Sequence, residues 1–171
     1  MPKIAVQTFT VRKHLKSPKA IEQTFEQLHS MGINAVELAR IKWTPVEIDA
    51  VERVTKKLGM VVGSTQNTFD YLSKNFDWSV KLHKQLNCQN VVVSVLPMRC
   101  ILGGEETLSE FAFELEKLGR AYRQQGLKLL FHHHHFEFQQ YGDELGFDIL
   151  MNSTSPENVG LVLDTYWLQR G

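Results

Sequence analysis

One unit recurs along this chain. A short β-rich apolar run is followed by apolar residues at helical spacing and then by a glycine, and the unit closes in about thirty residues. Lys3-Ile4-Ala5-Val6-Gln7-Thr8 is the first such run, and Ser17-Pro18 offers an N-cap followed by proline at the first helical position. Ala20, Ile21, Thr24, Phe25 and Leu28 keep the spacing of one helix face, and Gly32 supplies the stop. The pattern returns with strands expected at Asn34–Ala39, Met60–Thr65, Asn90–Val95, Leu127–Phe131 and Val159–Leu163. Helices are expected from Pro45 to Gly59, Lys74 to Leu86, Thr107 to Gln125 and Asp143 to Asn152. Parallel neighbours need a crossover, which a helix provides, so the alternation predicts a parallel sheet covered by helices.

An open doubly wound sheet and a barrel both satisfy that alternation. The open form would carry a glycine-rich phosphate loop after its first strand, and Gln7-Thr8-Phe9-Thr10 has no glycine. Polar residues stand instead at nearly every strand end: Gln7, Glu37, Thr65 with Gln66, Ser94, His132 to Glu137, and Asp164. A ring of polar strand ends is how a (β/α) barrel of the TIM type builds its active face, so the barrel is the expected α/β architecture.

The richest of these ends is Phe131-His132-His133-His134-His135-Phe136-Glu137-Phe138, which follows the apolar run Leu127-Lys128-Leu129-Leu130. A single histidine there would read as a hydrogen-bonded strand end. Several imidazoles with a carboxylate read as a site, because burying them without partners would be costly. Histidine and glutamate are ligand types for borderline divalent metals, and both move protons near neutral pH. If the segment stays extended, His132, His134 and Phe136 share one face and His133, His135 and Glu137 the other.

Composition narrows the partners. Nineteen basic and nineteen acidic residues cancel, so no overall field draws the chain to nucleic acid or an anionic membrane. The longest apolar runs fall far short of the roughly 20 residues of a membrane span, and no signal peptide is read before Lys3. Cys88 and Cys100 have neither CxxC spacing nor the density of a disulfide scaffold, and read as reduced thiols in a cytoplasmic protein. At 171 residues a single domain is expected.

Four segments in order resemble the sugar phosphate isomerase/epimerase family, the xylose-isomerase-like barrels: Ile4 to Arg12, Met31 to Leu38, Phe131 to Phe138, and Leu163-Asp164-Thr165-Tyr166-Trp167. The third is similar to a Tyr-His-Asn-His-x-Phe-Glu-Phe pattern, with Phe131 for tyrosine and His133 for asparagine. The fourth is similar to Leu-Asp-Thr-x-Trp. The resemblance implies a divalent metal (Mn, Mg, Zn or Co) at the mouth of the barrel, and a carboxylate that shuttles a carbon-bound proton of a small open-chain sugar. It assigns Glu137 as catalytic acid/base, Glu137 and Asp164 as metal ligands, and His132 and His134 as substrate-binding residues. Gln7 and Glu37 are expected at the rim, where Glu37 reads equally well as a strand-end salt bridge. Asp164 could instead cap the next helix, and Trp167 is read as a pocket wall or core aromatic.

Such barrels carry eight strand–helix units over roughly 250 residues, and about six are counted here, so the chain reads as an incomplete barrel lacking its C-terminal part. Two further readings stand beside the isomerase or epimerase. One is a catalytically incomplete sugar-binding or interaction remnant, pairing open strand edges in a homo-oligomer. The other is an apurinic endonuclease-like barrel, which would need more histidine ligands and a basic surface. The absence of a glycine-rich phosphate cradle favours an unphosphorylated or glycosidic substrate.

Overall fold

A computed structural model describes residues 4–171; Lys3, where the first strand is expected to begin, lies outside the described residues. The elements alternate as β1 (Val6–Gln7), α1 (Pro18–Ser30), β2 (Ala35–Leu38), α2 (Pro45–Leu58), β3 (Val61–Asn67), α3 (Phe69–Lys74), α4 (Phe76–Gln85) and β4 (Asn90–Val93). They continue as α5 (Met98–Leu102), α6 (Glu105–Gln124), β5 (Lys128–His132), the short strands β6 (Gln140–Tyr141) and β7 (Glu144–Leu145), α7 (Gly146–Asn152), β8 (Val159–Val162) and α8 (Thr165–Arg170). The main sheet runs β1-β2-β3-β4-β5-β8. Each new strand is added on the same side of the last. A doubly wound sheet reverses direction at its switch point, so the order is that of a barrel opened after six strands.

By its contacts the chain divides into two compact units, one running to Gln66 with Asp77–Asn90, the other comprising Asn67–Phe76 and Val91–Gly171. In the first, β1 pairs with β2 through Val6 and Val36, and β2 with β3 through Ala35 and Val61, all in parallel. Ile21, Phe25, Ile48, Val51 and Val54, from one face each of α1 and α2, close over Val36, Leu38 and Val62. Each such side chain stabilises the fold by about 1.5–3 kcal/mol when fully buried. Ser17 caps α1 by accepting the Ala20 N–H at 3.2 Å, ahead of Pro18 in the first turn. Gly59 ends α2 with φ of +67°, a conformation that glycine adopts without penalty.

In the second unit β5 pairs with β8 in parallel, Leu129 with Val159 through His132 with Val162. The long helix α6 buries Leu108, Phe111, Leu115 and Tyr122. Phe111 meets Phe69 edge-on, ring centres 5.1 Å apart, and Tyr122 meets Phe76 at 4.8 Å. Cys88 and Cys100 are free, and burial pushes both thiols up to about 11. Among the described residues no helix is long and apolar enough to cross a membrane.

Three expectations change. The helix expected over Lys74–Leu86 is α4, but an unexpected short helix, α3, precedes it, capped by Thr68, which accepts the Tyr71 N–H, and separated from it by Asn75. The loop before α6 contains α5, and a β6–β7 hairpin precedes α7. The largest change concerns the histidine run. Strand β5 ends at His132, and Phe136–Phe138 forms a 3-10 turn, so the alternation of faces stops at the first histidine.

Candidate functional site

Each unit gathers polar side chains at the C-terminal ends of its strands. In the first, register places Gln7 beside Glu37. Glu37 Oε1 accepts from Gln7 Nε2 at 2.6 Å and from Gln66 Nε2 at 2.9 Å, while Oε2 accepts from the Ser64 hydroxyl. Among the described residues Glu37 forms no salt bridge; its hydrogen-bond donors are the neutral Gln7, Gln66 and Ser64. Below them, Thr65 bonds His83 Nε2 at 2.7 Å, and His83 Nδ1 lies 2.7 Å from the Ser79 carbonyl. Burial lowers His83 to about 4, so this ring is neutral.

The second cluster follows from the turn after β5. His132 is buried, with Nδ1 3.1 Å from the Ser94 carbonyl and Nε2 3.1 Å from Asp164 Oδ2. Both ring nitrogens face acceptors, so the ring donates to both only when it carries two protons. The Asp164 N–H donates to His133 Nε2 at 3.2 Å, and His133 Nδ1 faces the His134 carbonyl at 3.4 Å. His133 therefore ties the end of β8 to the histidine run.

The 3-10 turn carries Glu137 back beneath that run. Its Oε2 accepts the His134 N–H at 2.8 Å, whereas Oε1 is buried without a partner. Burial, only partly opposed by the N–H groups of His134 and Glu137 and by His132, raises this carboxyl above the usual range. Asp164 moves the other way. Burial alone would raise it, but the His132 hydrogen bond and the N–H groups of Trp167 and Tyr166 outweigh that and lower it. Those N–H groups bond Oδ1 at 3.0 Å (Tyr166) and 3.3 Å (Trp167), so Asp164 both caps α8 and holds His132. His134 is lowered to about 4, first by burial and then by His132, and its Nδ1 is buried without a partner. Trp167 lies 4.7 Å from the His134 ring and stacks at 5.3 Å on His135, so it is a wall of the cluster.

The expected residues thus fall into two sets, Gln7 with Glu37 and His132, His134, Glu137, Asp164 with Trp167. No hydrogen bond joins Glu137 to Asp164; His132 bonds the second and acts on the first through its field. The roles of His133, His135 and Ser94 are not legible in the sequence, because a carbonyl partner and a ring stack leave no pattern there. As a metal cage the set is unfinished. Glu137 Oε1 is an unclaimed donor, but Asp164 is engaged through both oxygens, and no group of three or more His, Cys, Asp or Glu among the described residues could hold an ion.

Comparison with known proteins places the fold. No family model and no curated protein matches the chain. Solved structures do. Two sugar phosphate isomerase/epimerases from Parabacteroides distasonis superpose with TM-scores of 0.81 and 0.79 at 15% and 16% identity; each match covers 98% of this chain, and 71% and 67% of theirs. A xylose isomerase-like TIM barrel protein from Mycobacterium smegmatis, in complex with magnesium, matches with a TM-score of 0.70 at 15% identity, over 96% of this chain and 65% of its own. At such identities the likeness is one of fold: the chain has a xylose isomerase-like TIM-barrel fold over six strand units. A probable dehydratase from Bacillus anthracis and an AP endonuclease from Brucella melitensis share it, so the fold alone does not choose the reaction.

Proposed function

We propose that this chain carries the proton-transfer chemistry of a sugar isomerase or epimerase, with Glu137 as the group that takes and returns the proton. The observation that carries the reading is the buried Oε1, unpartnered on a carboxyl whose pKa burial raises. Glu137 would remove the proton from the carbon beside a carbonyl, leaving an enediolate. Returning that proton to the neighbouring carbon on the same face, while the hydroxyl proton passes from one oxygen of the enediolate to the other, completes an aldose–ketose interconversion with one carboxyl. Inversion at the original carbon needs a second acid on the opposite face.

The other side chains have positioning work. His134, neutral with Nδ1 free, is suited to hydrogen-bond a sugar oxygen. His132 orients Asp164, since both its nitrogens are engaged. Trp167 offers an aromatic wall against which a sugar's C–H face can pack. Gln7, Glu37, Ser64 and Gln66 form a second polar group suited to sugar hydroxyls. A divalent ion would need donors beyond Glu137 and Asp164. Binding without turnover is the second reading, favoured by the full engagement of Asp164 and Glu37.

The test is hydrogen exchange. A panel of aldoses and ketoses is incubated with the chain in D2O, with and without Mn2+, and deuterium at the carbon beside the carbonyl is followed by NMR. Incorporation above the protein-free rate, lost in Glu137→Gln, is expected. Sugar binding with no incorporation would establish the second reading instead.

A further inference from the structure

The second unit contains a cavity that shares no residue with either polar cluster. It has a volume of about 670 Å³, within the roughly 300–1,000 Å³ of pockets that hold small molecules. Glu114, Lys117, Leu118 and Ala121 of α6 line it, at the three- and four-residue spacing of one helix face. Phe69, Asp70 and Ser73 of α3 supply more of the lining, with Phe76 where α4 begins and Arg99 from α5.

The apolar part of the lining is held in place by the core. Phe69 and Leu118 are buried, Phe69 packs edge-on against Phe111 at 5.1 Å, and Phe76 meets Tyr122 at 4.8 Å. Ser73 and Ala121 are small, so the space between the helices stays open where larger side chains would fill it. The charged part divides differently. Arg99 bonds Glu114, and that bond, with a smaller push from the field of Asp70, holds the guanidinium above its ordinary value. Asp70 and Lys117 are exposed, and among the described residues neither forms a hydrogen bond or an ion pair.

Two opposite charges thus border one cavity without meeting each other, and Arg99 with Lys117 balances Asp70 with Glu114. A purely anionic ligand would face the two carboxylates, and a purely cationic one the two cations. A molecule that carries one charge of each sign meets neither cost, and a flat apolar body suits Phe69, Phe76 and Leu118.

We infer that the cavity between α3 and α6 is a binding site for a zwitterionic aromatic small molecule of the amino-acid class, with its ring on the apolar lining, its carboxylate toward Lys117 and its ammonium toward Asp70. The assignment is independent of the proton-transfer reading.

Calorimetric titration of the whole chain with L-phenylalanine tests it. Saturable binding is expected, weaker by about fivefold for phenylacetate, which lacks the ammonium, and for phenethylamine, which lacks the carboxylate, since each forgoes one exposed ion pair. Asp70→Asn should weaken phenylalanine by the same factor and leave phenylacetate unchanged, whereas Lys117→Gln should weaken phenylalanine and leave phenethylamine unchanged. Ala121→Phe should abolish binding by filling the cavity, and Ser73→Phe, at an exposed position, repeats the block should the first variant not fold. No saturable binding of phenylalanine, a single-charge analogue binding as tightly, or undiminished binding in Ser73→Phe would overturn the assignment. A dimer that Ser73→Phe breaks, with no phenylalanine bound, would overturn it by giving the cavity to a second copy of the chain. Phenylalanine binding as expected, with hydrogen exchange absent in every protein, would remove the proton-transfer function and leave this site standing.

Discussion

Glu37 and Glu137 are the same side chain near the end of a strand, in two different electrostatic settings. Glu37 is half-buried and receives three hydrogen bonds from neutral groups, Gln7, Gln66 and Ser64, so both its oxygens are satisfied. Glu137 is fully buried, receives one bond on Oε2, and keeps Oε1 bare. A satisfied carboxylate is a fixed acceptor that shapes a surface. A buried carboxyl with an unbonded oxygen stores the drive to take a proton or a ligand. Under the function proposed above, the contrast gives binding to the first cluster and chemistry to the second.

The largest effect expected from that contrast is kinetic. Glu137→Gln should lower the hydrogen-exchange rate by at least about a hundredfold, as loss of a general base does, while circular dichroism shows an unchanged fold. Equal exchange in the two proteins would remove Glu137 from the chemistry.

Acid should separate the two regions next. His83 is held to about 4 when folded and titrates near 6.5 when unfolded, so the unfolded chain binds the extra proton. Its contribution to stability is complete above about pH 6.5 and is lost as pH falls to about 4, by up to about 3 kcal/mol. Glu137 has the opposite sign. A raised folded pKa makes the folded state take the proton first, so its share of stability grows over the upper part of the same descent. Urea unfolding between pH 7 and 4.5 should therefore show a shallower loss in His83→Gln and a steeper one in Glu137→Gln.

Smaller effects probe the first cluster. Thr8→Val leaves the N–H and carbonyl of Ala39 without their buried partner and should cost about 1–3 kcal/mol in urea unfolding. Glu37→Gln keeps the volume but turns one acceptor oxygen into a donor facing donors. A loss of about 1 kcal/mol is expected, with hydrogen exchange changed far less than in Glu137→Gln. Were Glu37→Gln the more damaging to exchange, the assignment of roles would be reversed.

The fold was legible wherever a local pattern had one outcome. Ser17-Pro18, the apolar face of Ile21, Phe25 and Leu28, and Gly59 each specify a cap, a face or a stop through short-range sterics and hydrogen bonding, and each recurs in the structure. Of the two readings of Asp164 the helix cap is seen, through the oxygen that accepts from Tyr166 and Trp167, while the other oxygen meets His132. The two faces assigned to the histidine run were not found, because the 3-10 turn at Phe136–Phe138 breaks the alternation and no glycine or proline marks it.

Sequence by itself determined the alternation of strands and helices, the polar character of the strand ends and the presence of the Glu137 and Asp164 carboxyls, all of which follow from periodicity and residue type. Tertiary structure decided the strand order that makes the sheet a barrel, the burial that leaves Glu137 Oε1 bare, and the staple at Thr8 that joins the ends of β1 and β2. Those depend on partners about thirty residues apart along the chain, as between Thr8 and Ala39, and no local pattern encodes which distant group will satisfy a given oxygen.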